Sequence, residues 1–149
     1  MYRLIYKSDS ATPMNWGIVG GILTKSTRNN ERNGLTGALL LGKRHFLQVL
    51  EGDFRAVNET FQRISQDRRH RNIRIVSFEV IESRQFAGWE MRGVGVFDFD
   101  PPISDSLIRK YGEEDGELCF PEEGWLALSL VHDIFQLPEL PEWSRDQMR

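Results

Sequence analysis

The run Phe46–Leu47–Gln48–Val49–Leu50 limits what this chain can fold into more than any other stretch. Alternate side chains of a strand point to opposite faces. Here both faces are apolar, the pattern of a strand covered on both sides. Gln48 stands in its middle, and a buried carboxamide left unpaired costs about 1–3 kcal/mol. It needs specific partners, unless it lies at a strand edge where water or backbone satisfies it. Upstream, Ser26 to Asn30 is the polar end of a helix, with Asn29 and Asn30 where the helix runs out. Gly34 and Gly37 bracket a strand at Leu35–Leu41, and a turn at Gly42–Arg44 leads into the Gln48 run. One asparagine suffices to cap a helix or make a turn. Three carboxamides, each with an acceptor and two donors, suit the edge of a planar heterocycle.

In chain order, Tyr2–Ser8 has strand alternation, with Leu4 and Tyr6 on one face and Arg3, Ile5 and Lys7 on the other. Thr12–Pro13 has the form of a helix start, and Ile18, Val19, Ile22 and Leu23 follow at helical spacing. Gly17, Gly20 and Gly21 weaken that helix by about 1 kcal/mol each relative to alanine. They reflect either a close helix–sheet approach or room for a flat ligand. Leu35–Leu41 and His45–Glu51 form a hairpin, and Gly52–Asp53 opens a second helix carrying Phe54, Val57, Phe61 and Ile64. That helix ends near Asp67, followed by cations at Arg68–Arg71. Ile73–Glu82 is a fourth strand, Arg84–Met91 a loop and Arg92–Phe97 a fifth strand.

The order β-α-β-β-α-β plus one strand predicts an α+β, ferredoxin-like fold. Its two helices pack on one sheet face. The other face needs a cover, which must come from beyond the break at Asp100–Pro101–Pro102. Ile103–Tyr111 and Gly124–Gln136 are helix candidates, the second with Trp125, Leu128, Val131 and Phe135 as its apolar stripe. Leu137 to Trp143 is expected to be irregular. Residues 2–98 thus form one domain, and 99–149 a helical extension covering the sheet.

Several chemistries have no basis in these residues. His45, His70 and His132 are scattered and Cys119 is alone, so no metal site is expected. No serine or cysteine sits in a nucleophile motif, and no phosphate loop or dinucleotide fingerprint occurs. A net charge of -3 argues against direct nucleic-acid binding. One cysteine, the absence of a long apolar run and a start unlike a signal peptide point to the cytoplasm and away from membranes.

Across residues 2–97 the sequence resembles the BLUF domains, blue-light sensors that use a flavin. The resemblance lies in Tyr6, Arg28–Asn29–Asn30, Asn33–Gly34–Leu35–Thr36–Gly37, Phe46 to Gly52 with Gln48, Asp67, Arg69–His70, and Arg84, Phe86, Trp89 and Met91. Leu41 and Arg44 depart from the family's pattern at the hairpin. The resemblance implies a flavin, FAD or alternatively FMN, between the two helices. Asn30 and Asn29 would bind the ring's carbonyl and N–H edge, and Gln48 would bridge the ring to the Tyr6 hydroxyl. Arg63, Asp67 and His70 would lie towards the ribityl chain and phosphate. It also implies photochemistry in which Tyr6 gives up an electron and a proton along that bridge, with Trp89 or Met91 against Gln48 according to signalling state.

The reading is a short stand-alone photosensor and not an enzyme. It would act as a homo-oligomer and on a separate output protein. Two alternatives stand beside it: a flavin-dependent redox enzyme, and an interaction module that has lost its flavin.

Overall fold

A computed structural model describes residues 1–143. Its main sheet has the strands β1 (Tyr2–Ser10), β2 (Thr36–Leu41), β3 (His45–Gly52), β4 (His70–Val80) and β5 (Arg92–Gly95). Their order is β4-β1-β3-β2-β5. All neighbours are antiparallel except β2 and β5, which run parallel. Helices α1 (Trp16–Asn33) and α2 (Phe54–Ser65) fill the two crossovers of the ferredoxin-like order.

The two-faced pattern of β3 is obeyed residue by residue. Phe46 and Leu50 join Leu39 and Leu41 of β2, Leu4 and Tyr6 of β1, and Val19, Ile22, Leu23 and Val57 of the two helices. Leu47 and Val49 join Ile5, Ala38, Leu40 and Val94 on the other face. That second face is covered by α3 (Pro101–Tyr111) and α4 (Gly124–Phe135) through Leu107, Tyr111, Ala127, Leu130, Val131 and Ile134. Between these helices a two-stranded ribbon, β6 (Glu113–Glu114) and β7 (Glu117–Leu118), turns through Asp115 and Gly116, both at positive φ. The sequence reading did not foresee this ribbon.

Three expectations need correction. Helix α1 starts at Trp16, because the Asn15 side chain accepts from the Ile18 N–H at 3.0 Å; Thr12–Pro13 lies before it. It also runs three residues past Asn30, to a left-handed cap at Gly34 (φ 66°). In α4 the buried stripe is Ala127, Leu130, Val131 and Ile134, and Trp125 is 69% exposed. That helix is apolar around most of its circumference, so spacing alone does not fix its phase. Leu137 to Trp143 forms no helix or strand, as expected, but it is docked on the sheet: Glu142 pairs with Val94, the Trp143 N–H donates to the Gly93 carbonyl at 3.0 Å, and the Trp143 ring is buried. Smaller shifts affect β4, which starts at His70, and β5, which gives way to a 3-10 turn at Val96–Asp98.

A buried ion pair fixes the segment between β4 and β5. Glu51 is fully buried and takes the Arg3 guanidinium at 2.9 Å. Its carboxylate also accepts from the Gln85 and Phe86 N–H groups, at 3.1 and 2.9 Å. Arg84 adds bonds to Thr36 Oγ1 and to the Glu51 and Gly34 carbonyls, at 2.7–2.8 Å.

Candidate functional site

The face of the sheet under α1 and α2 carries a cavity of about 510 Å³. Tyr6, Asn29, Asn30, Gln48, Arg63, Asp67 and His70, far apart in sequence, all line it. Helical periodicity explains the α1 wall, since Ile22, Lys25, Ser26, Asn29 and Asn30 recur every three or four residues. Leu39, Phe46 and Ile64 supply apolar walls, and Lys25, Arg63, Arg68 and Arg69 supply positive charge. Lys25 was not singled out in the sequence, although its spacing of four from Asn29 was the available signal. The three α1 glycines do not line the cavity: Gly20 instead faces the Trp143 indole.

At the floor, the Tyr6 hydroxyl donates to Gln48 Oε1, and Gln48 Nε2 donates to Met91 Sδ at 3.5 Å. Tyr6 and Gln48 stand directly opposite in the β1–β3 register. Both are buried, Tyr6 at 1% exposure. Burial pushes the Tyr6 phenol well above the usual tyrosine range, and the negative charge of Asp67 adds to this. Tyr6 is therefore a neutral phenol that holds its proton firmly.

The remaining side chains are each held by neighbours. Asn30 is buried and its Nδ2 donates to the Glu90 carbonyl at 2.6 Å, which uses one of its two N–H groups. Asp67 is clasped by Arg69 at 2.7 Å, and those hydrogen bonds lower its carboxyl to about pKa 2. His70 meets Ser8 Oγ through Nδ1 at 2.7 Å, and its ring stands edge-on to Phe46 and Tyr6. Burial lowers its pKa.

Met91 and Trp89 are separated by the sheet. Met91 is buried beside Gln48 on the cavity side. Trp89 packs on Phe86 and Phe135, with the Arg92 guanidinium 4.2 Å above its ring. Arg92 also binds Glu142 of the tail at 2.5 Å.

The donor set fits a flavin. The volume is that of a small-molecule pocket, its apolar walls suit a flat ring, and three carboxamides offer alternating donors and acceptors to a heterocycle edge. The clustered cations suit phosphate. Replacing Asn30 by Ala is expected to weaken flavin retention by about fivefold or more, the equivalent of one buried hydrogen bond. Flavin occupancy and dissociation during dialysis measure this, and unchanged retention would put Asn30 outside the binding set.

Residues 1–92 match the family model described as BLUF, sensors of blue-light using FAD. The chain is 31% identical over 107 residues to photoactivated adenylate cyclase subunit beta of Euglena gracilis, covering 70% of this chain and 12% of that protein. It is 32% identical over 106 residues to the blue light- and temperature-regulated antirepressor BluF of Escherichia coli, covering 71% of this chain and 26% of that one. The chain thus spans only a small part of these curated relatives. Among solved structures, the dark state of BlrB, a BLUF protein, superposes with TM-score 0.70 at 29% identity, over 89% of this chain and 92% of that one.

Proposed function

The chain belongs to the BLUF family of flavin-based blue-light sensors, and on that premise we propose that residues 2–98 are the sensor and residues 99–149 the element that transmits its signal. The observation that carries this reading is the buried bond from Tyr6 to Gln48, itself bonded to Met91, at the floor of a flavin-sized cavity. Asn29, Asn30, Arg63, Asp67 and His70 complete the binding set. FAD is the cofactor, in keeping with the family description and with the four cations along the cavity.

When bound, the flavin supplies a ring that blue light turns into a strong one-electron oxidant. The protein's part follows from its own groups. A neutral, desolvated Tyr6 that loses an electron becomes strongly acidic, and the acceptor for its proton is Gln48 Oε1. A carboxamide has two ends of nearly equal shape and opposite hydrogen-bonding character. Once the electron and the proton have returned to Tyr6, a carboxamide that settles rotated would leave Tyr6 facing an N–H, and Met91 Sδ facing an oxygen in place of a donor. The bond that held Met91 is gone.

Met91 precedes β5, and β5 meets the cover at several points. Val94 lies in the core shared with α3 and α4, Arg92 lies against Phe135 and Glu142, and Gly93 holds Trp143. A coupling of about 1–3 kcal/mol between site and cover changes a partner's affinity about 5–150-fold. Output runs through contacts of this cover with a second copy or a separate protein, and the chain itself is a sensory module, not a catalyst. No helix among the described residues is long and apolar enough to cross a membrane.

The deciding experiment is simple. Purified protein should be yellow, shift its absorbance slightly to the red under blue light, and recover in darkness. Bleaching by a reductant alone would favour a redox enzyme, and colourless protein after expression with flavin would favour a module that has lost it. Mass analysis of the released cofactor distinguishes FAD from FMN. Met91→Ala should keep the colour change while reducing the light-induced difference in hydrogen exchange over residues 103–136. Identical exchange of those residues in wild type, dark and fully converted, would eliminate this route.

A further inference from the structure

On the sheet face away from the flavin cavity, His45 opens β3 beneath the β6–β7 ribbon and is only 6% exposed. Its Nδ1 lies 3.2 Å from Asp9 Oδ1, the pairing that orients an imidazole and leaves Nε2 facing away from it. Nε2 is buried and has no hydrogen-bond partner among the described residues. It points at carboxylates: Asp115 Oδ2 is 3.4 Å away and Glu117 Oε2 3.9 Å. Glu117 Oε2 is itself buried without a partner, while a bond from the Lys43 N–H at 2.8 Å fixes the other oxygen. One ligand atom each from His45, Glu114 and Asp115 lies within 4.8 Å of the others. Lys7 reaches Glu114 Oε2 at 3.2 Å, which leaves the second oxygen of that carboxylate.

Burying an unpaired ring nitrogen and an unpaired carboxylate oxygen face to face is costly. With the ring proton on Nδ1 beside Asp9, Nε2 and Glu117 Oε2 present lone pairs to one another. A metal ion at Nε2 would relieve this. Donors bound at about 2.0–2.1 Å in tetrahedral array stand about 3.3 Å apart, close to the 3.4 Å from Nε2 to Asp115. We infer that His45, Glu114 and Asp115 form a binding site for a first-row divalent cation such as Zn²⁺, with Asp9 orienting the imidazole and Glu117 beside it. One imidazole with two carboxylates and an open position suits such an ion better than Ca²⁺ or Mg²⁺. An open cleft lined by Asp9, Thr12, His45 and Asp115 leads to it. The ion would fasten the ribbon of the C-terminal cover to the sheet. The sequence concealed the site, because His45 and Glu114 lie far apart in the chain.

The test is calorimetric titration of the flavin-bound protein with zinc chloride. One saturable equivalent is expected, with affinity at least about tenfold weaker in Asp115→Asn and binding abolished in Glu114→Gln/Asp115→Asn. The Asp115 side chain is 71% exposed, so its replacement leaves the fold intact. Asp105→Asn, on the exposed side of α3, should bind as wild type. Nitrogen NMR should show the His45 Nε2 resonance moving on zinc addition while Nδ1 moves little. The inference is overturned if no saturable uptake occurs, or if the double variant binds as well as wild type, which would mark adventitious binding elsewhere.

Discussion

Tyr6→Phe should yield a protein that still takes up flavin yet shows no red-shifted state under blue light. The ring is kept, so the aromatic contacts with Phe61 and His70 survive. Only the hydroxyl goes, and with it the one donor seen on Gln48 Oε1. The remaining phenyl ring offers no proton to that oxygen, and the carboxamide has no reason to turn. The effect is total loss of the light response, not a graded one, because no second group among the described residues bonds that oxygen. Leaving one neutral acceptor unpaired costs about 1–3 kcal/mol, which a domain of ordinary stability tolerates. Stationary absorbance before and after illumination, at matched flavin occupancy, measures it. A full red shift in this variant would remove Tyr6 from the mechanism.

The second large effect concerns stability. Glu51→Ala should cost about 3–5 kcal/mol, the range for breaking one side of a buried ion pair. Arg3, itself 7% exposed, would be left charged without its buried partner. The Gln85 and Phe86 N–H groups would lose their acceptor as well. Against a total of about 5–15 kcal/mol, this is a large share, and part of the chain should unfold near room temperature in mild denaturant. The urea midpoint of the flavin-bound protein reads it directly. Because the same carboxylate holds the loop that leads to Trp89 and Met91, the variant should also blur the coupling of light to the cover. An unfolding free energy within about 0.5 kcal/mol of wild type, the scatter of ordinary surface changes, would show that the pair is dispensable.

The need of Gln48 for a partner was legible in the sequence, because one strand carried apolar residues on both faces around a single carboxamide; Tyr6 as that partner was implied by the resemblance to the BLUF family. That pattern demands a sheet covered twice and a partner for Gln48, and both are found. Asn29 and Asn30 were legible as a doubled signal, although Asn30 lies inside the last turn of α1 and not beyond it. Met91 and Trp89 could not be told apart, because both precede β5, where strand alternation does not apply. Their sides were decided by the Glu51 anchor and by the Trp89 backbone, whose carbonyl takes the Gly37 N–H at 2.9 Å.

What stayed hidden shares one cause. The sequence assigned no buried role to Glu51, Lys7 or His45, yet all are buried. Each was drawn inside by partners 30 or more residues away, which no local pattern reports. Lys7 is enclosed by the Phe120 carbonyl at 2.9 Å, with Glu114 and Glu122 nearby. The ribbon and the docked tail were missed similarly: two-residue strands carry no periodicity, and the Trp143 N–H finds its acceptor only once β5 exists.

Light should reorient the Gln48 carboxamide between Tyr6 and Met91. Infrared difference spectra of light against dark, recorded with carbonyl-labelled glutamine, observe that group itself. A glutamine carbonyl band should move on illumination in wild type, shift with the label, and be absent from Tyr6→Phe and Gln48→Ala. A flavin absorbance change of full size with no labelled band in the difference spectrum would contradict the account.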